Sequence, residues 1–116
     1  MSTFSRPEVD LTPERVSELL AAGEIELVDV REGYEWEAGH IEGARHIELE
    51  RLASRADELD RHRPVVFQCR LGARSAMAAQ AFNASGYRAY NLAGGIQAWV
   101  EAGLPLDRPD GRVADH

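Results

Sequence analysis

The chain has 116 residues, room for one domain around one core. Hydrophobic residues make up 44% and charged ones 28%, an ordinary folded composition that argues against disorder, and no apolar run approaches the ~18 residues of a membrane-spanning helix. The net charge of -7 speaks against a general nucleic-acid binder, which needs a basic face to neutralise phosphates.

Residues 1–10, MSTFSRPEVD, lack a basic segment followed by an apolar one and do not read as a signal peptide. Next, DLTPERVSELLAAGE predicts a helix, with Thr12 as N-cap, Pro13 at the first helical position and Gly23 as the stop. Val16, Leu19 and Leu20 give it an apolar stripe. IELVDV, residues 25–30, reads as a buried strand. A short helical turn over residues 34–38 and a glycine-punctuated loop come next. ELERLASRADEL, with Leu49, Leu52, Ala56 and Leu59 on one side, predicts a charged amphipathic helix. PVVFQC, residues 64–69, is a second strand, residues 73–85 a helix capped by Gly86, and RAYNL, residues 88–92, a third strand. GGIQAWVEAG gives a last helix ending at Gly103 with Pro105 beyond. The final stretch, DRPDGRVADH, reads as a loose tail. One domain over 1–116 is expected, its core at about 8–106.

Strands alternating with helices imply an α/β fold, a mostly parallel sheet covered on both faces. In such sheets ligands sit at the carboxyl ends of strands, beside helix N-termini. The chain's one cysteine, Cys69, falls at such a place. A single cysteine cannot close an internal disulfide, and with four scattered histidines it makes no zinc spacing. This usage points to a reducing cytoplasm.

A lone cysteine after an apolar strand is more often a small buried hydrophobe than a nucleophile. Arg70, Gly72 and Arg74, all within five residues, reverse that reading. The loop leaves backbone N–H groups without helical partners near the positive end of a helix, and Gly72 permits a tight, close-approaching turn. Curled into a concavity, those groups bind an anion, and a thiolate is itself an anion. Such surroundings favour the thiolate, the reactive form.

At this loop the sequence resembles the rhodanese-like (sulfurtransferase) family. CRLGARS is similar to the Cys-Arg-x-Gly-x-Arg-Ser active loop of single-domain members. LVDVREGYEWEAGHIEGARHI resembles the family's early signature through Asp29, Arg31, Gly39, His40, Ile41, Gly43 and Ala44, and YNLAGGIQAW its late one. After Gly43–Ala44 the chain departs, with RHIEL at residues 45–49 where many members continue Asn-Ile-Pro. The resemblance implies a three-layer α/β/α domain in which Cys69 attacks the outer sulfur of a donor such as thiosulfate, releases sulfite and carries a persulfide. Arg70, Leu71, Gly72, Ala73, Arg74 and Ser75 would bind the anion. A thiol, cyanide or a thioredoxin-like protein would accept the sulfur. No metal or organic cofactor, nucleic acid or membrane is called for.

Two rivals bear on this reading. A cysteine-dependent phosphatase of this fold has a loop one residue longer than the four residues between Cys69 and Arg74, suited to tetrahedral phosphate. A non-catalytic binding or regulatory module would be marked by loss of the cysteine. Asp29 and Arg31 read as a supporting charge pair or turn cap bracing the loop. His40, between an isoleucine and glycines, reads as a packed turn residue, since a thiolate held by its loop needs no base. Trp36, Trp99, Tyr87 and Tyr90 read as packing residues.

Overall fold

The computed structural model describes residues 9–116, so the reading of the first eight residues lies outside the described part. Five strands form one sheet: β1 (Asp10–Leu11), β2 (Glu26–Asp29), β3 (Arg45–His46), β4 (Val65–Gln68) and β5 (Ala89–Leu92). Their order is β1-β5-β4-β2-β3 and each neighbouring pair is parallel. Among the described residues, the helices α1 (Pro13–Ala21), α2 (Gly33–Ala38) and α3 (Ala73–Ala84) lie between strands, and α4 (Gly95–Glu101) follows β5.

Strand periodicity divides the core in two. Side chains alternate across a sheet, so Val28, Val65, Phe67 and Ala89 fall on one face and pack against Ala78, Ala79 and Phe82 of α3. Leu27, Val66, Tyr90 and Leu92 fall on the other, against Val16 of α1 and Ile96 and Trp99 of α4. All four residues of β4 are buried, as befits the middle strand of a sheet covered on both sides. The expected three-layer α/β/α arrangement is therefore the observed one.

Helix boundaries follow the end signals. Thr12 caps α1, its hydroxyl accepting from the Arg15 N–H at 3.1 Å, and Pro13 opens the helix. Two short strands had no sequence signal, because β1 and β3 are two residues each and carry no readable period. The stretch read as an amphipathic α-helix at 48–59 is instead two 3₁₀ segments, Leu49–Arg51 and Ala53–Glu58. Its i→i+3 bonds include Leu52 N–H to Leu49 C=O at 3.2 Å and Leu59 N–H to Ala56 C=O at 3.0 Å. The tighter winding suits the three-residue spacing of Leu49 and Leu52, and of Ala56 and Leu59, and buries Leu52 and Leu59 under the α3 face.

The tail has no regular secondary structure, yet it is not loose. The Asp107 N–H donates to the His40 carbonyl at 2.7 Å and the Arg112 N–H to the Ala38 carbonyl at 3.0 Å. Ala114 is buried, and Leu106 and Val113 pack on the α1/α4 side of the core. Gly39 makes this close seating possible: a Cβ there would stand 2.6 Å from the backbone of Arg112.

Candidate active site

Cys69 follows the last residue of β4 and is 1% exposed. Its loop is fixed from behind by the turn into α4. The Cys69 carbonyl accepts from the Ile96 N–H at 2.9 Å and the Arg70 carbonyl from the Gln97 N–H at 3.1 Å. Those N–H groups are orphan donors of the first turn of α4. A side chain at Gly95 would forbid the approach, since its Cβ would lie 2.4 Å from the Arg70 oxygen, and its φ is +64°. These bonds turn the Cys69 and Arg70 carbonyls toward α4. Gly72, at φ +110°, donates its N–H to the Cys69 sulfur at 3.1 Å. The Ser75 hydroxyl lies 3.3 Å from the same sulfur.

The two loop arginines play different parts. Arg74 sets its two terminal nitrogens on the two carboxylate oxygens of Glu35, at 3.0 and 3.1 Å. Glu35, in the first turn of α2, is wholly buried and also accepts the Glu32 N–H at 2.9 Å. Burial works against charge on both groups. The mutual hydrogen bonds and charge outweigh it, so the carboxyl sits below its ordinary range and the guanidinium above its own, with Cys69 adding a smaller pull on Arg74. Arg74 thus brings a held positive charge beside the sulfur with its fork already occupied. Arg70 has the freer fork: its Nη2 reaches Asp115 of the tail at 3.4 Å, and the Asp115 side chain is 96% exposed. Leu71 and Ala73 are exposed at the rim of the loop.

Asp29 and Arg31 are a wholly buried pair, with Nε to Oδ1 at 2.9 Å and Nη2 to Oδ2 at 2.7 Å. Arg31 also donates to the Gly39 carbonyl at 2.8 Å. The pair ties the end of β2 to the loop after α2, a bracing position. His40 stacks on Trp36 with ring centroids 3.5 Å apart, and its Nδ1 lies 2.9 Å from the Trp36 carbonyl. Its other nitrogen faces Asp107 at 3.6 Å. Both ring nitrogens are thus engaged within a packed turn. Trp99 and Tyr87 are buried against the core and donate to the Pro105 and Ala56 carbonyls.

Sequence reading missed three residues. Glu35 stands 39 positions from its partner, a separation that no local pattern spans. Asn91 contacts Ser75, and Asp10 contacts Asn91. A polar residue inside the apolar run AYNL was the one available sign of Asn91. A cleft of about 580 Å³ lies on the α1/α4 side among Leu20, Ile25, Ile41 and Trp99. Neither Cys69 nor any residue of its loop lines it. A cavity of about 300 Å³ borders the site at Arg74, rimmed by Glu32, Glu48, Glu50 and His116. Among the described residues no cluster of three or more His, Cys, Asp or Glu is placed to hold a metal ion.

A parallel sheet that sets a cysteine at a strand end, against a backbone N–H and an arginine-bearing helix start, is an arrangement this chain shares with known proteins. The rhodanese-like domain profile matches residues 12–102. A protein of Allochromatium vinosum named sulfurtransferase is 38% identical over 104 residues, covering 88% of this chain and 97% of that one. The thiosulfate sulfurtransferase GlpE of Shewanella oneidensis is 35% identical over 103 residues, 88% of this chain and 98% of that one. The uncharacterized protein YqhL of Bacillus subtilis is 44% identical over 75 residues, and there this chain spans only 60% of its relative's length. The crystal structure of a rhodanese-related protein from Thermoplasma volcanium superposes with a TM-score of 0.78 at 28% identity, over 84% of this chain and 95% of that one. The chain belongs to the rhodanese-like domain family. Relatives that it matches nearly end to end carry sulfurtransferase names.

Proposed function

We propose that this protein is a sulfurtransferase that carries sulfane sulfur on Cys69, taking it from thiosulfate or a similar small anionic donor. The Cys69 thiolate attacks the outer sulfur of thiosulfate, the S–S bond to the sulfonate breaks, and sulfite leaves with the bonding pair. The product is an anionic persulfide, so charge balances without an added proton or electron. A thiol, cyanide or thioredoxin-like acceptor then attacks the terminal sulfur and returns the thiolate.

The observation that carries this reading is the Gly72 N–H on the Cys69 sulfur at 3.1 Å, in a loop whose carbonyls are held away by α4. Donors fixed in this way stabilise an anionic sulfur with no reorganisation at the moment of reaction. Arg70 is the cation best placed to greet the donor, and Arg74 keeps positive charge beside the sulfur. A lone reactive thiol suits a reducing compartment, so a cytoplasmic setting goes with the proposal.

Steady-state thiocyanate formation from thiosulfate and cyanide tests it. Parallel lines in double-reciprocal plots are expected, as for a covalent intermediate shared by two half-reactions. Intersecting lines, or turnover retained in Cys69→Ser, would refute a sulfur carried on Cys69.

A further inference from the structure

Two polar side chains sit where the sheet face under α3 is otherwise apolar. Asn91 lies two residues beyond Ala89 and so on the same face. It is 4% exposed, and Ser75 on α3 is wholly buried. Burying an amide there costs free energy unless its polar atoms are paired, and an aliphatic residue would carry no such cost.

The pairing fixes which way each group points. Asn91 Nδ2 lies 2.8 Å from Asp10 Oδ1, and a carboxylate can only accept. The amide therefore turns its NH₂ to Asp10 and its oxygen to Ser75. The register of β1 on β5, Asp10 beside Asn91, is what brings the carboxylate there. Asn91 Oδ1 is an acceptor, so its 2.5 Å contact with Ser75 Oγ uses the one hydrogen of that hydroxyl. Ser75 Oγ also lies 3.3 Å from the Cys69 sulfur. With its hydrogen given to Asn91, Ser75 offers the sulfur only lone pairs. These accept from a protonated thiol and give nothing to a thiolate or persulfide.

We propose that Asp10 and Asn91 are positioning residues that hold the Ser75 hydroxyl in its accepting orientation, keeping its hydrogen from the sulfur until the hydroxyl leaves Asn91 to donate to an anionic sulfur. The thiol proton goes to solvent, and Ser75 only rotates about its Cβ–Oγ bond. Giving up the hydrogen bond to Asn91 Oδ1 offsets part of the new O–H to sulfur bond. Gly72 N–H serves both states. The charged groups around the sulfur are Arg70 in its own loop, Arg74 from α3 with Glu35 and Glu32 behind it, and Asp10 behind Asn91. The inference rests on Cys69 being the reactive group, but not on which donor it uses.

The test is the pH profile of Cys69 alkylation by iodoacetamide, the chain having no other cysteine. Asn91→Val places a strand-favouring β-branched residue at the position and removes the acceptor. Its alkylation midpoint is expected to move down by roughly 0.5–1 pH unit, the worth of one neutral hydrogen bond. In the Ser75→Ala background the same substitution should leave the midpoint in place. Asp10→Asn, at an exposed position, frees the Asn91 amide to turn over and should shift the profile in the same direction. It decides the matter even if Asn91→Val fails to fold. A shift of equal size with and without Ser75 would mean a direct charge effect and overturn the proposal, as would no shift or an upward one. Alkylation reads the thiol, not sulfur transfer. A protein with this relay that takes no sulfur would refute the proposed function and leave the relay standing.

Discussion

At the scale of single residues, the site depends on charges that are committed before any substrate arrives. Arg74 would be read from sequence as an anion ligand, but its fork is closed on a wholly buried Glu35. Arg74→Ala therefore does more than remove a binding charge: it leaves the buried Glu35 carboxylate uncompensated. A loss of about 3 kcal/mol in unfolding free energy is expected at neutral pH, measured by urea titration, together with weaker thiosulfate capture. The double variant with Glu35→Gln should recover much of the stability, because no unpaired charge remains. The pH sign follows from the depressed Glu35. Its contribution is present above the ordinary carboxyl value of 4.5 and is lost as pH falls through its lower folded value. The wild type should lose stability through that acid window, and the double variant should show a flatter acid limb.

At the scale of elements, the loop is held by its neighbours as much as by its own sequence. The Gly94–Gly95 turn brings the first N–H groups of α4 onto the carbonyls of Cys69 and Arg70. Gly95→Ala would combine a left-handed φ with a 2.4 Å approach to the Arg70 oxygen. A destabilisation of about 2–4 kcal/mol is expected, with lower turnover because the loop itself must shift. Near-wild-type stability and activity would show that α4 does not brace the loop. Elements with strong end signals were legible in sequence: Thr12–Pro13 opened α1, Gly86 followed α3, and the apolar runs of β2, β4 and β5 stood out. The Cys69 loop was legible too, because its residues are contiguous. What stayed hidden is what depends on distant pairing. Two-residue strands such as β1 exist only because β5 is there to receive them. The 3₁₀ winding at 49–58 answers to the space beneath α3, which periodicity alone does not report. Glu35, Asp10 and Asn91 join the site through the sheet register and the docking of α2.

At the scale of the whole molecule, the last ten residues run back over the site instead of leaving it. Asp115 reaches Arg70, its backbone carbonyl accepts from the Tyr34 hydroxyl at 3.0 Å, and His116 meets Glu32 at 3.1 Å. A donor anion must compete with Asp115 for Arg70. That side chain is almost wholly exposed, so the competition is weak: Asp115→Asn should lower the KM for thiosulfate by no more than about fivefold, with kcat little changed. A raised KM would mean that the tail orders Arg70 for capture. The parts proposed for Arg70, Arg74 and Asp115 in sulfur transfer require that sulfur reside on Cys69. Intact-protein mass reads this without an intermediary: before and after incubation with thiosulfate, then after cyanide, on the wild type and on Cys69→Ser. The wild type should gain one sulfur atom and lose it as thiocyanate appears, while folded Cys69→Ser gains none. A folded wild type with a titratable thiol that never gains the sulfur, or a Cys69→Ser variant that does, would show that Cys69 is not the sulfur carrier.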